Sequence, residues 1–207
     1  MRILSLDTAT DVATTCVWVD GDAVAETSAA GRSASAQHVL GQVDQLLAEA
    51  GLALSDLDLI VAGRGPGTFT GLRIGLATAR GLGFALGIPV RGVSTLDALL
   101  RGAGDGAVAC IDARRGEVFA AGPGIDPCVA APDILADRLT AGALLVGDGA
   151  VRHRDRFPAA SVPVDDSPLH VPWARHHAAL HETAGAPEPL YLRAPDADRS
   201  LPAGAAA

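Results

Sequence analysis

The chain has 207 residues, which is enough for one compact unit or two small lobes. Apolar residues make up 49% of it and aromatic residues only 3%, so its core must be built mainly from alanine, valine, leucine and isoleucine. The formal net charge is −8, which argues against unaided binding of nucleic acid through a basic face. All 16 basic residues are arginine, and this excludes a P-loop lysine and a Schiff-base lysine.

The cysteines and the N-terminus indicate a cytoplasmic protein with no membrane segment. Cys16, Cys110 and Cys128 are odd in number and scattered, a pattern that fits neither a zinc site nor a disulfide framework. An acidic residue at Asp7 comes too early for a secretory apolar region, and no apolar run approaches the roughly 20 residues that span a bilayer.

The first part of the chain predicts a strand meander followed by an amphipathic helix. Short strands are expected at 2–6, 16–19 and 23–27. Ser33 or Ser35 offers a helix N-cap. Behind it, apolar residues recur with helical spacing up to Gly51; they are Val39, Val43, Leu46, Leu47 and Ala50. A continuous apolar strand at 59–62 follows.

Residues 63–87 form the most unusual segment. A loop rich in glycine and proline leads to Thr70, a plausible N-cap, and then to a predicted helix over 71–86. One stripe of small residues runs along this helix at a spacing of four; it comprises Gly71, Gly75, Ala79, Gly83 and Gly87. The other faces are apolar apart from Arg73 and Arg80. A helix apolar on nearly every side must be covered on nearly every side, so we expect a partner-binding helix, with burial inside the subunit as the alternative.

The remaining elements suggest a second, smaller lobe. A strand at 90–93 precedes a helix capped by Ser94, and a polar stretch at 101–106 indicates a boundary. Beyond it we expect a strand hairpin at 107–113 and 118–121, a short helix at about 133–139, a strand at 144–146 and a helix at 172–183. The predicted units are therefore an N-terminal lobe at 1–104, a C-terminal lobe at 105–193 and a disordered tail at 194–207.

Two loops are candidates for facing a phosphate. Asp7 and Thr8 end the first strand, where a carboxylate and a hydroxyl can approach a phosphate and its metal ion; the alternative is an ordinary turn. Gly65, Gly67 and Thr68 precede a helix N-terminus, which can hold an anion; the alternative is a tight turn that brings the helix close to the sheet. Neither loop is a Walker A motif, because lysine is absent.

No metal site is predicted. His38 would need a second ligand four residues later, and that residue is Gln42. His177 and His181 have the right spacing, but HExxH order is absent, and a solvated helix face is the simpler interpretation.

Several motifs together resemble the TsaB (YeaZ) family. They are Leu6-Asp7-Thr8, His38, the segment GPGTFTGLRIG at 65–75, IDARRGEVF at 111–119, Gly147-Asp148-Gly149, and PLYLR at 189–193. The usual form of the long central motif has serine where this chain has Thr68. The order and spacing of these motifs match the family from residue 1 to about 197.

The resemblance implies an α/β fold of the actin-like ATPase (ASKHA, ribonuclease H-like) class with two lobes, the second one short. It also implies a non-catalytic partner subunit of the complex that forms threonylcarbamoyladenosine next to the anticodon of tRNAs. This subunit would bind and activate the transferase TsaD as a heterodimer. The ATPase TsaE would join the complex, tRNA would be reached through it, and the chain alone would form a homodimer.

The resemblance places the dimerisation helices at about 36–50 and 71–86, without catalytic residues and without a tightly bound cofactor. A nucleotide at a shared interface stays open. The interface candidates on these helices are His38, Val39, Gln42, Leu46, Leu72, Arg73, Gly75, Leu76, Ala79, Arg80, Leu82 and Gly83.

Two alternatives remain open at this point. The chain could be an independent ATPase or small-molecule kinase of the same class, with Asp7, the 65–67 loop and Asp112 around a nucleotide. Ala113 and Arg114 stand where such an enzyme would have a glycine-rich phosphate turn, which counts against this alternative. The other alternative is direct binding of tRNA through Arg64, Arg73, Arg114 and Arg115.

Overall fold

The computed structural model describes residues 1–31 and 36–193. The predicted N-caps Ser33 and Ser35 and the tail at 194–207 lie outside the described residues. In the parts that are described, no helix combines the length and the apolar character needed to cross a bilayer.

The first lobe is built on a five-stranded sheet with the order β3-β2-β1-β4-β5. Its first three strands form the predicted antiparallel meander, and β4 and β5 run parallel to β1. The bounds are β1 Arg2–Asp7, β2 Val12–Val19, β3 Asp22–Ala30, β4 Leu59–Gly63 and β5 Val90–Val93. The second strand begins four residues before its prediction, because Thr14 and Thr15 at its start are polar but fully buried.

Two long helices cover one face of this sheet. They are α1, Ala36–Ala50, and α2, Phe69–Leu86, and their buried side chains share one core cluster with Leu4, Leu6 and Ile60. The cap of α2 is Thr68, whose side chain accepts a hydrogen bond from the Gly71 backbone, so the predicted cap at Thr70 is wrong. Ser94 caps α3, Thr95–Ala103, as predicted.

The second lobe repeats the strand order of the first without its fifth strand. Its sheet has the order β8-β7-β6-β9. Two one-turn helices accompany this sheet, one before and one after its last strand in the sequence. The bounds are β6 Val108–Asp112, β7 Val118–Gly122, β8 Ile125–Ala130, α4 Pro132–Ala136, β9 Leu145–Val146 and α5 Asp148–Arg152. Prediction missed β8, because Asp126 and Pro127 interrupt its apolar pattern. The two lobes confirm the predicted actin-like ATPase fold class.

After the second lobe the chain returns to the first. Helix α6, Ala174–Ala179, lies on the face of the first sheet opposite α1 and α2, where Ala178 packs with Ile3, Val61 and Val93. Gly185 then pairs with Gly92 at the open edge of β5. The predicted division at 105–193 therefore needs correction: the last part of that range completes the first lobe, because the face of the sheet opposite α1 and α2 is apolar and must be covered.

Candidate functional site

The stripe of small residues on α2 faces the chain's own sheet. A Cβ atom at Gly75 would lie 2.5 Å from the Thr8 hydroxyl, and one at Gly83 would lie 2.2 Å from a Val90 methyl group. Ala79 is fully buried. The stripe lets the helix approach the strands closely, so the prediction that it marks the partner-binding side is wrong.

Most of the predicted interface residues share this inward position. Gln42, for example, is buried, and its side-chain oxygen accepts a hydrogen bond from the Thr15 hydroxyl at 3.0 Å. A partner cannot contact these side chains without unfolding the lobe. The buried candidates are Val39, Gln42, Leu46, Leu72, Gly75, Leu76, Ala79 and Gly83. The candidates that reach the surface are His38, Arg73, Arg80 and Leu82.

The outward side of α2 carries an apolar surface of its own. Phe84 is 92% exposed, Phe69 49% and Leu40, on α1, 40%. Between the two helices lies an open groove of about 650 Å³. Its lining, which we call the α1–α2 groove, consists of Leu40, Phe69, Thr70, Arg73, Ile74, Ala77, Thr78, Gly81 and Leu82.

The interface residues predicted from the sequence did not include the exposed Leu40, Phe69 and Phe84. The signal was present, because Phe69, Ala77 and Phe84 lie about half a turn away from the small-residue stripe. The chain itself thus leaves exposed the face of α2 that carries Phe69 and Phe84.

An aromatic stack fixes one end of the α1–α2 groove. The rings of Phe69 and Tyr191 stack with their centroids 5.8 Å apart, and the Arg73 guanidinium lies 3.6 Å from the Phe69 ring centroid. Cation–π contacts of this kind hold an arginine in place without neutralising it. The groove rim therefore presents a positioned positive charge.

The carboxylate of Asp7 makes its polar contacts inside the lobe. His177 Nε2 on α6 lies 2.8 Å from Asp7 Oδ2, and the Thr95 hydroxyl donates to the same oxygen at 2.9 Å. The backbone N–H of Ala9 donates to Oδ1 at 2.5 Å. Asp7 and His177 are both fully buried, so Asp7 does not face a ligand, and the interpretation of His177 as part of a solvated face is wrong.

The second candidate phosphate loop packs on the turn that follows Asp7. A Cβ atom at Gly67 would lie 2.2 Å from the Ala9 carbonyl oxygen, which accepts a hydrogen bond from the Thr68 N–H at 2.7 Å. Gly65 has a φ of +96°, which favours glycine. The Thr8 hydroxyl donates to the Gly71 carbonyl at 2.6 Å. This geometry supports the tight-turn interpretation, in which glycine is needed for close packing.

A polar cleft of about 320 Å³ lies between the lobes. Arg114 crosses it, with Nη2 2.6 Å from Asp11 Oδ1 and Nη1 3.0 Å from Asp112 Oδ2. Arg114 sits in the left-handed region at φ +61°, where its backbone N–H also donates to Asp112. In residues 1–31 and 36–193 there is no group of three or more histidine, cysteine or acidic side chains that could hold a metal ion.

Asp148, at the floor of this cleft, has a perturbed acidity. Burial raises the pKa of Asp148 to about 6; the hydrogen bond from the Asp112 backbone opposes this rise, and the Asp112 carboxylate adds to it. Since the folded-state pKa exceeds that of the unfolded chain, protonated Asp148 favours folding. That contribution is complete below about pH 4 and is lost as the pH rises through about 6.

We therefore expect Asp148→Asn to stabilise the protein at pH 8. The amide keeps an oxygen for the Asp112 N–H, at 3.0 Å in the native structure, and removes the buried charge. The gain at pH 8 should be up to about 3 kcal/mol, from 1.36 kcal/mol per pKa unit, and should shrink towards pH 5. Urea unfolding of both proteins from pH 5 to 8 measures this; a difference independent of pH would contradict it.

A family model and an individual relative each match part of this chain. Residues 29–126 match a family model described as TsaD, tRNA N6-adenosine threonylcarbamoyltransferase. The tRNA threonylcarbamoyladenosine biosynthesis protein TsaB of Escherichia coli is 42% identical over 124 residues, which are 58% of this chain and 53% of that protein. The match thus spans about half the length of that relative.

Two further relatives match almost from end to end. An uncharacterized protein of Mycobacterium tuberculosis is 39% identical over 204 residues, which cover 94% of this chain and 93% of that protein. The solved structure of YeaZ from Pseudomonas aeruginosa is 30% identical, with a TM-score of 0.76, and the match covers 92% of this chain and 99% of that one. Sequence and fold therefore agree over both lobes.

Proposed function

The chain belongs to the TsaB (YeaZ) family, and from this premise we propose that it is the non-catalytic partner subunit of the complex that forms threonylcarbamoyladenosine next to the anticodon of tRNAs. In this role it binds and activates TsaD in the cytoplasm. TsaE joins the complex, and the chain acts on tRNA only through this complex. In the absence of TsaD the chain pairs with a second copy of itself.

The uncovered side of α2 carries this proposal. An almost fully exposed Phe84 and a groove lined by Ile74, Ala77 and Leu82 leave apolar surface in contact with water. Exposed apolar surface of this kind usually marks a binding site for another protein. The family relationship supplies the partner, and the groove between two helices supplies the shape that a partner helix would fill.

The position of Asp7 supports a non-catalytic role. An independent ATPase or kinase would need this carboxylate to face a nucleotide and its metal ion, whereas His177, Thr95 and the Ala9 backbone already bind it. Gln42, which replaces the second histidine of a metal-binding relative, bonds to Thr15 inside the lobe. Asp7 and Gln42, which stand where nucleotide or metal chemistry would require ligands, thus form contacts that stabilise the fold.

To test the proposal, the purified chain is mixed with TsaD and the mass in solution is measured by light scattering. A mass equal to the sum of the two subunits is the expected result. No complex, together with a monomeric chain on its own, would contradict the proposed function.

We expect Gly81→Arg to prevent this complex while leaving the subunit folded. Gly81 lines the α1–α2 groove, and a Cβ atom there would meet nothing within 4 Å in the subunit. The long side chain would instead occupy the space intended for the partner, and affinity should fall at least about a hundredfold, a size typical of a disrupted interface centre. Gly185→Arg, at an exposed glycine with open space, without a positive φ and outside the groove lining, is the matched control and should bind normally. Equal affinity of Gly81→Arg and wild type would show that the partner binds elsewhere.

A further inference from the structure

The surface around α2 differs in charge from the rest of the molecule. Residues 59–96 contain no aspartate or glutamate, but they contain four arginines, in a chain whose net charge is −8. Two of these arginines, Arg73 and Arg80, are exposed on α2. They are seven residues apart, so they point to the same side, about 10 Å apart along the helix axis.

These two arginines also lack the ion pairs that other arginines have. Among the residues that the structure describes, neither Arg73 nor Arg80 has a carboxylate within 4 Å. Elsewhere in the chain, such pairs join Arg2–Asp56, Arg114–Asp11, Arg152–Asp112, Arg154–Asp165, Arg156–Asp133, Arg175–Glu26 and Arg193–Glu117. Arg73 and Arg80, which have no carboxylate partner among the described residues, thus lie beside an exposed apolar surface on α2.

An isolated surface arginine is ordinarily a solvated charge of little consequence. Arg73, however, lines the α1–α2 groove and is held over the Phe69 ring, and Arg80 is one turn from the exposed Phe84. Arginine and aromatic residues are the types enriched at the centres of protein interfaces. A partner that fills the groove and extends over Phe84 would remove water from both guanidinium groups, which is unfavourable unless the covering surface supplies negative charge.

We propose that the surface that covers the α1–α2 groove is an apolar helical face with two carboxylates about 10 Å apart along its axis, one opposite Arg73 and one opposite Arg80. This inference rests on the proposed function and describes the chemistry of the TsaD face that docks here. Opposite charges at these positions speed the encounter and select the correct partner more than they add to affinity.

Two other occupants offer negative charge but fit less well. A second copy of the chain can pair here when TsaD is absent, and it carries Asp44 and Glu49 on the exposed side of α1, but the net charge of −8 on each copy weakens that pairing. An RNA backbone would find two arginines in an apolar setting, on a protein that is acidic as a whole. An apolar protein helix that carries two carboxylates both fills the groove and pairs with Arg73 and Arg80.

The test compares Arg73→Glu/Arg80→Glu with wild type in stopped-flow association with TsaD at low and high salt. Both residues are exposed, and circular dichroism confirms that the double variant is folded. Its association rate should fall about tenfold or more at low salt. The difference from wild type should narrow at high salt, because salt screens the electrostatic attraction that speeds the encounter of the two proteins. Arg101→Glu, on α3 and away from the groove, is the matched control with an unchanged rate.

Three results would overturn the inference. The first is a double variant that associates as fast as wild type at low salt while the complex still forms; the proposed function then stands and only the charge assignment fails. The second is normal binding to TsaD with loss of tRNA binding by the complex, which would assign the arginines to phosphate. The third concerns the variant Arg73→Glu/Arg80→Glu with Asp44→Arg/Glu49→Arg added to it. If these additions restore self-association but not TsaD binding, the arginines pair with a second copy of the chain. Absence of any complex with wild type would instead remove the proposed function and this inference with it.

Discussion

Gly75→Arg is expected to abolish the folded state. The Cβ atom of any side chain at this position would lie 2.5 Å from the Thr8 hydroxyl, which is itself held by a hydrogen bond to the Gly71 carbonyl. Neither the helix nor the turn can move without breaking that contact, and an arginine would add a buried charge. The cost should exceed about 5 kcal/mol, which is comparable to the whole stability of a small protein.

Gly81→Arg is the matched comparison, since it makes the same change on the same helix. Gly81 is exposed and has open space beside it, and arginine favours helix by somewhat under 1 kcal/mol relative to glycine. Thermal unfolding should therefore give an equal or slightly higher Tm for Gly81→Arg and no cooperative transition for Gly75→Arg. Two folded variants of similar stability would mean that the small-residue stripe does not lie against the sheet.

His177→Ala is expected to destabilise the protein by about 3–5 kcal/mol, because it removes the imidazole that contacts a buried carboxylate and leaves a cavity in its place. The change leaves the Asp7 carboxylate fully buried, with only the Thr95 hydroxyl and the Ala9 N–H to bind it. Urea unfolding near pH 7 measures the loss. His181→Ala, in the same segment but only partly buried, should cost less than about 1 kcal/mol.

A double-mutant cycle separates the contact between Asp7 and His177 from the packing of each side chain. Asp7→Ala alone leaves His177 without its carboxylate, and the combined Asp7→Ala/His177→Ala protein should lose much less than the sum of the single losses, by about 2 kcal/mol or more. Additive losses would show that the two side chains stabilise the lobe independently, and the role of Asp7 in holding α6 would have to be abandoned.

Elements with a strong local signal could be predicted from the sequence. The alternation and turn at Asp20-Gly21 give the meander, the apolar period gives α1, and Ser94 marks the start of α3. The continuous apolar run at 59–62 correctly indicates a strand covered on both faces. These features depend on neighbouring residues only, so no knowledge of the rest of the fold is needed.

Orientation could not be predicted in the same way. Helix α2 has two apolar faces, one of glycine and alanine and one with Phe69 and Phe84, and the sequence alone does not say which of them meets the sheet. The deciding contacts come from Thr8 and Val90, which are distant in sequence from the glycines they touch. Large side chains at the surface and small ones inside reverse the usual expectation, and here they leave the face with Phe69 and Phe84 exposed.

The contact between Asp7 and His177 was equally inaccessible. It joins the end of the first strand to the last helix, and local patterns around either residue indicate a turn and a polar helix face. Only the return of the chain to the first lobe brings them together. Local periodicity correctly placed the candidate interface residues on helices. Which side of each helix faces the sheet depended on contacts with the rest of the fold.

The return of α6 has a consequence for how the protein is made in the cell. The first strand is synthesised well before α6, but the imidazole that contacts its carboxylate belongs to His177 on α6. Until α6 has been synthesised, the face of the N-terminal sheet opposite α1 and α2 lacks this helix, and Asp7 lacks its contact with His177. The nascent N-terminal half must therefore wait for its own C-terminal segment, and chaperones that shield apolar strands would be needed most during this interval.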